Sequence, residues 1–215
     1  MNYQPRSRAD VLRLVEAYPL AWLIGAAGPA FDATPLPLLP ETDASGAIVS
    51  LLGHFALRNP QVELLRRNPR ALILFSGPHG YISPRLVSQR GWAPTWNYAV
   101  AKFQVDIEFV PDENLRAIEK LVEKMEGDVA NPWQVAEVGT RLESMLRQII
   151  AFRAHVRSVD GRFKLGQDEK PETHSELLAR VADHDLTSWM ADYGPPQSVA
   201  TGMSGAVNEM AELNK

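Results

Sequence analysis

Phe75-Ser76-Gly77-Pro78-His79-Gly80-Tyr81-Ile82-Ser83-Pro84 is the stretch on which the reading of the fold turns. Each proline removes a backbone donor, and each glycine admits conformations closed to other residues. The segment is therefore expected to break into a strand at Ala71–Phe75 and another at Tyr81–Ile82 after a Gly77–Pro78 turn, not to run as one central strand. Gly77 and Gly80 allow close backbone approach, while Ser76, His79 and Ser83 offer hydrogen bonds. Two readings stay level on spacing alone: a ligand-holding loop, or a tight hairpin with a polar tip.

Upstream, Ser7 to Ala17 carries Val11, Leu14 and Val15 at helical spacing and stops near Pro19. Leu20 to Gly25 has strand length. Phe31 to Leu39 reads as a second strand that Pro35 and Pro37 confine to an edge or a bulge. Ala47 to Leu52 reads as a third, ending at Gly53–His54. Asn59 is a good N-cap and Pro60 suits the first helical position, so a short helix begins there.

Downstream, Tyr98 to Val110 alternates in the manner of a long half-buried strand. After Pro111 the apolar period switches to three and four through Leu115, Ile118, Leu121, Val122 and Met125, an amphipathic helix. Leu142 to Leu146 predicts a further helix. Ile149 to Val159 predicts a strand closed by Asp160–Gly161, and helices follow at Thr173–Ala182 and Leu186–Tyr193. Six or seven strands, with most helices in the second half, give an α+β protein: a small, mostly antiparallel barrel with helices packed outside. No linker divides the chain, so residues 1–193 are expected to form one domain. Residues 194–215 are expected to be a flexible tail, with a weak helix at Val207–Leu213.

Composition narrows the function classes. The 215 residues carry a formal net charge of -4 and no cysteine, which excludes disulfides, thiolate zinc sites and a thiol nucleophile. Met1 to Asp10 lacks the apolar core of a signal peptide, and no apolar run approaches the ~20 residues of a membrane helix. A cytoplasmic protein without membrane contact is expected. The acidic balance argues against a large phosphate-reading surface. Phosphate-loop, dinucleotide-fingerprint and zinc-protease motifs do not occur, and the five histidines lack metal-ligand spacing.

From Gly53 to Tyr98 the chain reads as a loop-rich pocket for a small ligand with an anionic group. Gly53-His54-Phe55-Ala56-Leu57-Arg58-Asn59-Pro60 lies where a strand gives way to a helix. Exposed N–H groups at such a junction suit phosphate or carboxylate, and Arg58 adds a charged fork. The alternative is that Asn59 only caps, His54 only bonds a carbonyl and Arg58 is a surface charge. Pro94-Thr95-Trp96-Asn97-Tyr98, after Trp92, suits a ligand wall, a subunit interface or core. Gly161 to Asp168 reads as a turn with two cations, Arg162 and Lys164, which taken alone are solvated charges.

In order along the chain, these segments resemble the PaiB-type family of FMN-binding negative transcriptional regulators. Gly53, His54, Ala56, Asn59 and Pro60 match its Gly-His-x-Ala-x-x-Asn-Pro turn. Phe75, Gly77, Pro78, Tyr81, Ile82, Ser83 and Pro84 match a second motif, and Pro94 to Tyr98 matches Pro-Thr-Trp-Asn-Tyr throughout. The chain departs from the pattern at Thr34, where histidine is usual, at Arg85-Leu86-Val87, where an aromatic pair is usual, and at Gly166-Gln167-Asp168 for Ser-Gln-Asn. Each departure removes or alters a group near the implied pocket.

The resemblance implies a split barrel of the flavin reductase and pyridoxamine oxidase kind, working as a homodimer with FMN between subunits. The flavin-binding residues it implies are Thr34, His54, Arg58, Asn59, Ser76, His79, Tyr81, Trp96, Asn97, Lys164 and Gln167. Arg58 and Lys164 would take the phosphate, with His54 and Asn59 shaping the pocket. A flavin-dependent oxidoreductase on the same barrel and an interaction module without flavin remain open, as does direct DNA binding.

Overall fold

The computed structural model describes residues 3–27, 30–127 and 129–195. Among the described residues the strands are β1 (Leu20–Ala27), β2 (Ala30–Pro37), β3 (Leu39–Thr42), β4 (Ile48–Ala56), β5 (Arg70–Ile82), β6 (Thr95–Phe109) and β7 (Ile149–Lys164). They form one sheet in the order β2-β1-β5-β6-β7-β4-β3, with every pairing antiparallel. β2 and β3 stand at opposite ends of that order, yet Leu38 alone separates them in sequence. A flat sheet of this many strands would be roughly 29 Å wide, whereas Pro37 to Leu39 spans at most about 7 Å. The sheet is therefore rolled until its edges meet, with fully buried Leu38 at the seam.

Alternate residues fill the barrel. Phe55, Phe75, Phe103, Phe152 and Phe163 are all fully buried. Phe55 and Phe152 lie 4.9 Å apart between ring centroids, and Phe75 meets Phe103 edge-on at 5.5 Å. Helices close the barrel ends. α1 (Arg8–Ala17) starts at Ser7, whose N–H donates to the Asp10 carboxylate at 2.7 Å, and buries Val11, Leu14 and Val15. α2 (Pro60–Arg67) is capped by Asn59, whose Oδ1 accepts from the Gln61 N–H at 2.9 Å. The Gln61 side-chain amide donates to the Leu23 and Asp32 carbonyls, tying α2 to β1 and β2. α3 (Asn114–Glu126) lies outside, where Ala117 packs on Leu52 and Ala151. After the short α4 (Leu142–Leu146) and β7, α5 (Pro171–Arg180) and α6 (His184–Tyr193) follow, and α6 sets Trp189 and Tyr193 against Phe163. No helix among the described residues is long and apolar enough to cross a membrane.

The antiparallel α+β barrel stands as expected, and β2 with its prolines is indeed an edge strand. Several boundaries differ. The expected Phe31–Leu39 strand stops at Pro37 and a separate β3 opens at Leu39. β6 begins at Thr95 and not at Tyr98, and three further changes fall in the site segments. β4 continues through Gly53–His54 to Ala56, so His54 lies inside a strand. β5 is a single strand from Arg70 to Ile82, because a bulge between Ser76 and His79 takes Gly77 and Pro78 out of register with β6. β1 pairs with β5 only as far as Phe75, so no ladder on that side needs the donor that Pro78 lacks. β7 runs through Gly161 to Lys164, and the turn comes later, at Gly166 with φ +86°. The weak helix at Val207–Leu213 and the tail from residue 196 lie outside the described residues.

Candidate functional site

The structure divides the expected site residues between the two ends of the barrel. At one end, Asn59 Nδ2 donates to Thr34 Oγ1 at 3.0 Å, so the threonine in the usual histidine position is tied to the cap of α2. His54 is half-buried on β4 beside Ala151, and burial holds its imidazole below the ordinary range. Arg58 is exposed on the turn after β4, next to Leu57, whose N–H donates to the Gln148 carbonyl at 2.7 Å.

At the other end, Tyr81 and Trp96 are cross-strand partners, 6.1 Å apart between rings and each 54% exposed. His79 Nδ1 lies 3.1 Å from the Gly77 carbonyl, inside the bulge. Asn97 is buried, with its amide 3.5 Å from Met190 Sδ, and so joins β6 to α6. Gln167 closes its own turn: its Oε1 accepts from the Leu165 N–H at 2.7 Å and its Nε2 donates to the Phe163 carbonyl. Lys164 donates to Thr95 Oγ1. Ser76 is exposed at the start of the bulge, between the two ends.

This division bears on the phosphate. Ala56, two residues before Arg58, pairs with Ile149 at the start of β7, whereas Lys164 is its last residue. An extended strand of that length rises roughly 50 Å. Arg58 and Lys164 of one copy therefore stand by opposite ends of β7.

A different partner stands beside Lys164. On the outer face of the barrel Tyr98 pairs with Lys164, Val100 with Arg162 and Lys102 with Asp160. The chain segment before α1 runs along the edge of β7 beside this face. The Tyr3 carbonyl accepts from the Phe163 N–H at 2.7 Å, and its hydroxyl donates to Asp168 at 2.9 Å. The Tyr3 ring lies 5.4 Å from the Arg162 guanidinium and 5.8 Å from Lys164 Nζ. Burial and the bond to Asp168 push the Tyr3 hydroxyl up to about 12, so it stays neutral. Beneath it is a cleft of about 380 Å³ between Tyr3, Tyr98, Lys102 and Arg162. Lys102 is paired with Asp160 at 2.7 Å, whereas Arg162 has no ion pair among the described residues. Sequence reasoning left Arg162 as a solvated charge because it ended the strand at Asp160–Gly161. The missed signal was the period of two through Asp160, Arg162 and Lys164.

The same outer face is apolar on its other side. Leu20, Trp22 and Phe31 are 63%, 49% and 76% exposed. Trp22 lies between Pro35 of β2 and Leu74 of β5, and Leu74 in turn pairs with Lys102. An apolar band thus runs, strand by strand, into the cationic cleft.

Residues 1–158 match the model of a family described as "Putative FMN-binding domain". This chain belongs to that family. Flavin is the cofactor class of the domain, and the likeness to PaiB-type proteins holds at the level of a curated relative. That relative, the protease synthase and sporulation protein PAI 2 of Bacillus subtilis (strain 168), is 29% identical over 137 residues. The alignment covers 63% of this chain and 66% of the relative, just under two thirds of its length. Among solved structures, the FAD and heme binding protein from Mycobacterium smegmatis superposes with a TM-score of 0.61 at 15% identity, covering 83% of this chain and 80% of that one. The flavocytochrome Anf3 from Azotobacter vinelandii gives 0.56 at 10% identity, covering 76% and 70%. At these identities the likeness shows the fold alone. The family match ends at residue 158, so Arg162 and Lys164 lie beyond it.

Proposed function

We propose that this chain is an FMN-binding negative regulator of the PaiB type, acting as a homodimer with the flavin seated where two copies meet. The observation that carries this reading is the apolar band running in register into the cleft of Tyr3, Tyr98, Lys102 and Arg162, with Lys164 beside it under the Tyr3 ring. FMN needs both halves of such a surface: apolar and aromatic walls for its ring system and cations for its phosphate. The residues present fit that pair of demands. Arg162 and Lys164 would hold the phosphate, with Tyr3 and Tyr98 on either side of them. Bound FMN supplies redox capacity that these side chains lack.

Homodimerisation is supported by the exposed band itself, since soluble monomers rarely leave a contiguous apolar patch of this kind open to water. In such a dimer a second copy can bring its Thr34, His54, Arg58 and Asn59 toward a cleft built at the far end of β7. The net charge of -4 favours control exerted by the flavin-loaded protein over reading of DNA grooves by a basic helix. A salt-dependent gel shift on the protein's own promoter would instead establish direct DNA binding.

FMN titration with fluorescence detection tests the reading. Saturable quenching is expected, with riboflavin binding at least about tenfold more weakly because it lacks the phosphate, a difference of ~1.4 kcal/mol. Arg162→Gln and Lys164→Gln should each weaken FMN by about that factor and leave riboflavin unchanged. Absence of FMN binding at high micromolar concentration would sink the flavin reading, whereas equal affinity for both flavins would sink only the phosphate assignment. Trp22→Glu places a charge at the middle of the apolar band. It should weaken self-association at least about tenfold in analytical ultracentrifugation, and an unchanged dimer would move the interface elsewhere.

A further inference from the structure

β4 and β7 stay paired from Ala56–Ile149 to Ser50–His155 and then part. On β7 a bulge opposite Gln104 and Val105 falls at this point. Beyond it Ile48 keeps its pairing with Thr42 of β3 and has none with β7. The wedge between the two strands is a cavity of about 410 Å³, within the size range of small-molecule sites. Ile48, Val156 and Val159 form its walls with Val11 of α1, and the segment from Gln4 to Arg8 lies across it.

The charged groups of the wedge are all of one sign, and Gln4, Ser7 and Ser158 add neutral polar groups. The charged side chains lining it are Arg8 and Arg157, and no aspartate or glutamate lines it, in a protein whose net charge is -4. Arg157 is held by Asp106 at 2.7 Å, while Arg8 reaches Ser45 Oγ at 3.5 Å and lies near the Asp43 carboxylate, which it helps to keep ionised. The backbone edge adds donors, interleaved with the carbonyls of the same residues. The Phe163 N–H points away from β6 to the Tyr3 carbonyl, so the two-residue period turns the Gly161 and Val159 N–H groups to that same side. They face the gap that β4 has left, with no backbone acceptor among the described residues.

We infer that this wedge is a second ligand site, for a small monocarboxylate with an aliphatic or aromatic body. The carboxylate sits between Arg8 and Arg157 and accepts from the β7 edge, and the body lies against Val11, Ile48 and Val156. Arginine supplies a fork that matches a carboxylate, while the apolar walls reject a bare hydrated anion. The inference does not depend on the flavin reading, because none of the cations assigned to the phosphate lines the wedge.

Hexanoate and benzoate are the probes, with 1-hexanol and hexylamine as controls, on the full chain by calorimetry and amide NMR. Saturable binding of the carboxylates alone is expected, with the largest amide shifts at Val159 and Gly161. Arg8→Gln should weaken it about tenfold. Val159→Trp should fill the wedge and abolish binding, while a retained cooperative melt shows that the variant is folded. The inference is overturned if the alcohol or the amine binds as well as the carboxylates, if shifts cluster elsewhere, if Arg8→Gln binds normally, or if no saturation is reached at about 10 mM, where a specific site would show even at weak affinity.

Discussion

Phe163→Ala is expected to lower the unfolding free energy by about 3–5 kcal/mol, the usual range for truncating a buried aromatic ring. Phe163 is fully buried, and its ring meets those of Trp189 and Tyr193 at 5.9 and 5.4 Å. Its removal takes away the surface on which α6 is seated. The position also links core to site. Strand residues alternate between faces, so the phenylalanine that points inward at 163 is what keeps Arg162 and Lys164 pointing outward. Its N–H carries the Tyr3 carbonyl, which sets the tyrosine ring over both cations. The variant should therefore lose stability, while alanine keeps the main-chain N–H that holds Tyr3, so under the proposed flavin site the change in flavin affinity should be the smaller effect. The expected fall in melting temperature is roughly 6–20 °C for a chain of this size. A loss below about 1 kcal/mol in chemical denaturation, far under the range for core aromatics, would show that α6 is not anchored here.

The parts of this molecule that were legible in its sequence are those decided by local chemistry. Asn59–Pro60 starts a helix because an amide cap and a proline at the first position suit that geometry in any fold, and the structure shows that cap. The prolines of β2 forbid a central strand, and β2 is an edge. The parts that were not legible depend on which strand lies alongside. Pro78 is tolerated within β5 because β1 has already left that side, a fact about pairing that the ten residues from Phe75 to Pro84 do not contain. Gly161 reads as a turn signal, yet the strand passes through it. Space is the reason: a Cβ there would stand 2.4 Å from Pro5 Cγ, so glycine admits the segment before α1. The same misreading hid Arg162. Arg58 and Lys164 look like partners on a list of cations and stand by opposite ends of β7, because strand direction is a property of the topology.

Arg153→Ala is the second substitution with a large expected effect. The guanidinium of Arg153 lies on β7 between two carboxylates, meeting Glu113 through Nη1 and Nη2 at 2.5 and 2.7 Å and Glu41 through Nε and Nη2 at 2.9 and 3.3 Å. It joins the entry to α3 and the edge strand β3 to the barrel wall. Its side chain is 18% exposed and those of the glutamates about a quarter, so the pairs are screened less than surface pairs and more than buried ones. Breaking a fully buried pair costs 3–5 kcal/mol, and the partial exposure brings the expectation to about 2–3 kcal/mol. The two glutamates left facing each other add repulsion in the same direction. The pH dependence separates this electrostatic origin from a loss of packing. The hydrogen bond from Arg153, helped by Arg116, holds the Glu113 carboxyl at about 2, below its ordinary 4.5. A carboxylate lowered on folding stabilises the native state above its unfolded value and loses that contribution as pH falls through its folded value. The gap between wild type and Arg153→Ala should therefore be full above pH 4.5 and close progressively as the pH is lowered toward about 2. Equilibrium denaturation of both proteins across that window measures it. A gap that stays constant with pH would assign the loss to the apolar stem of the arginine, which packs along the sheet whatever its charge partners do.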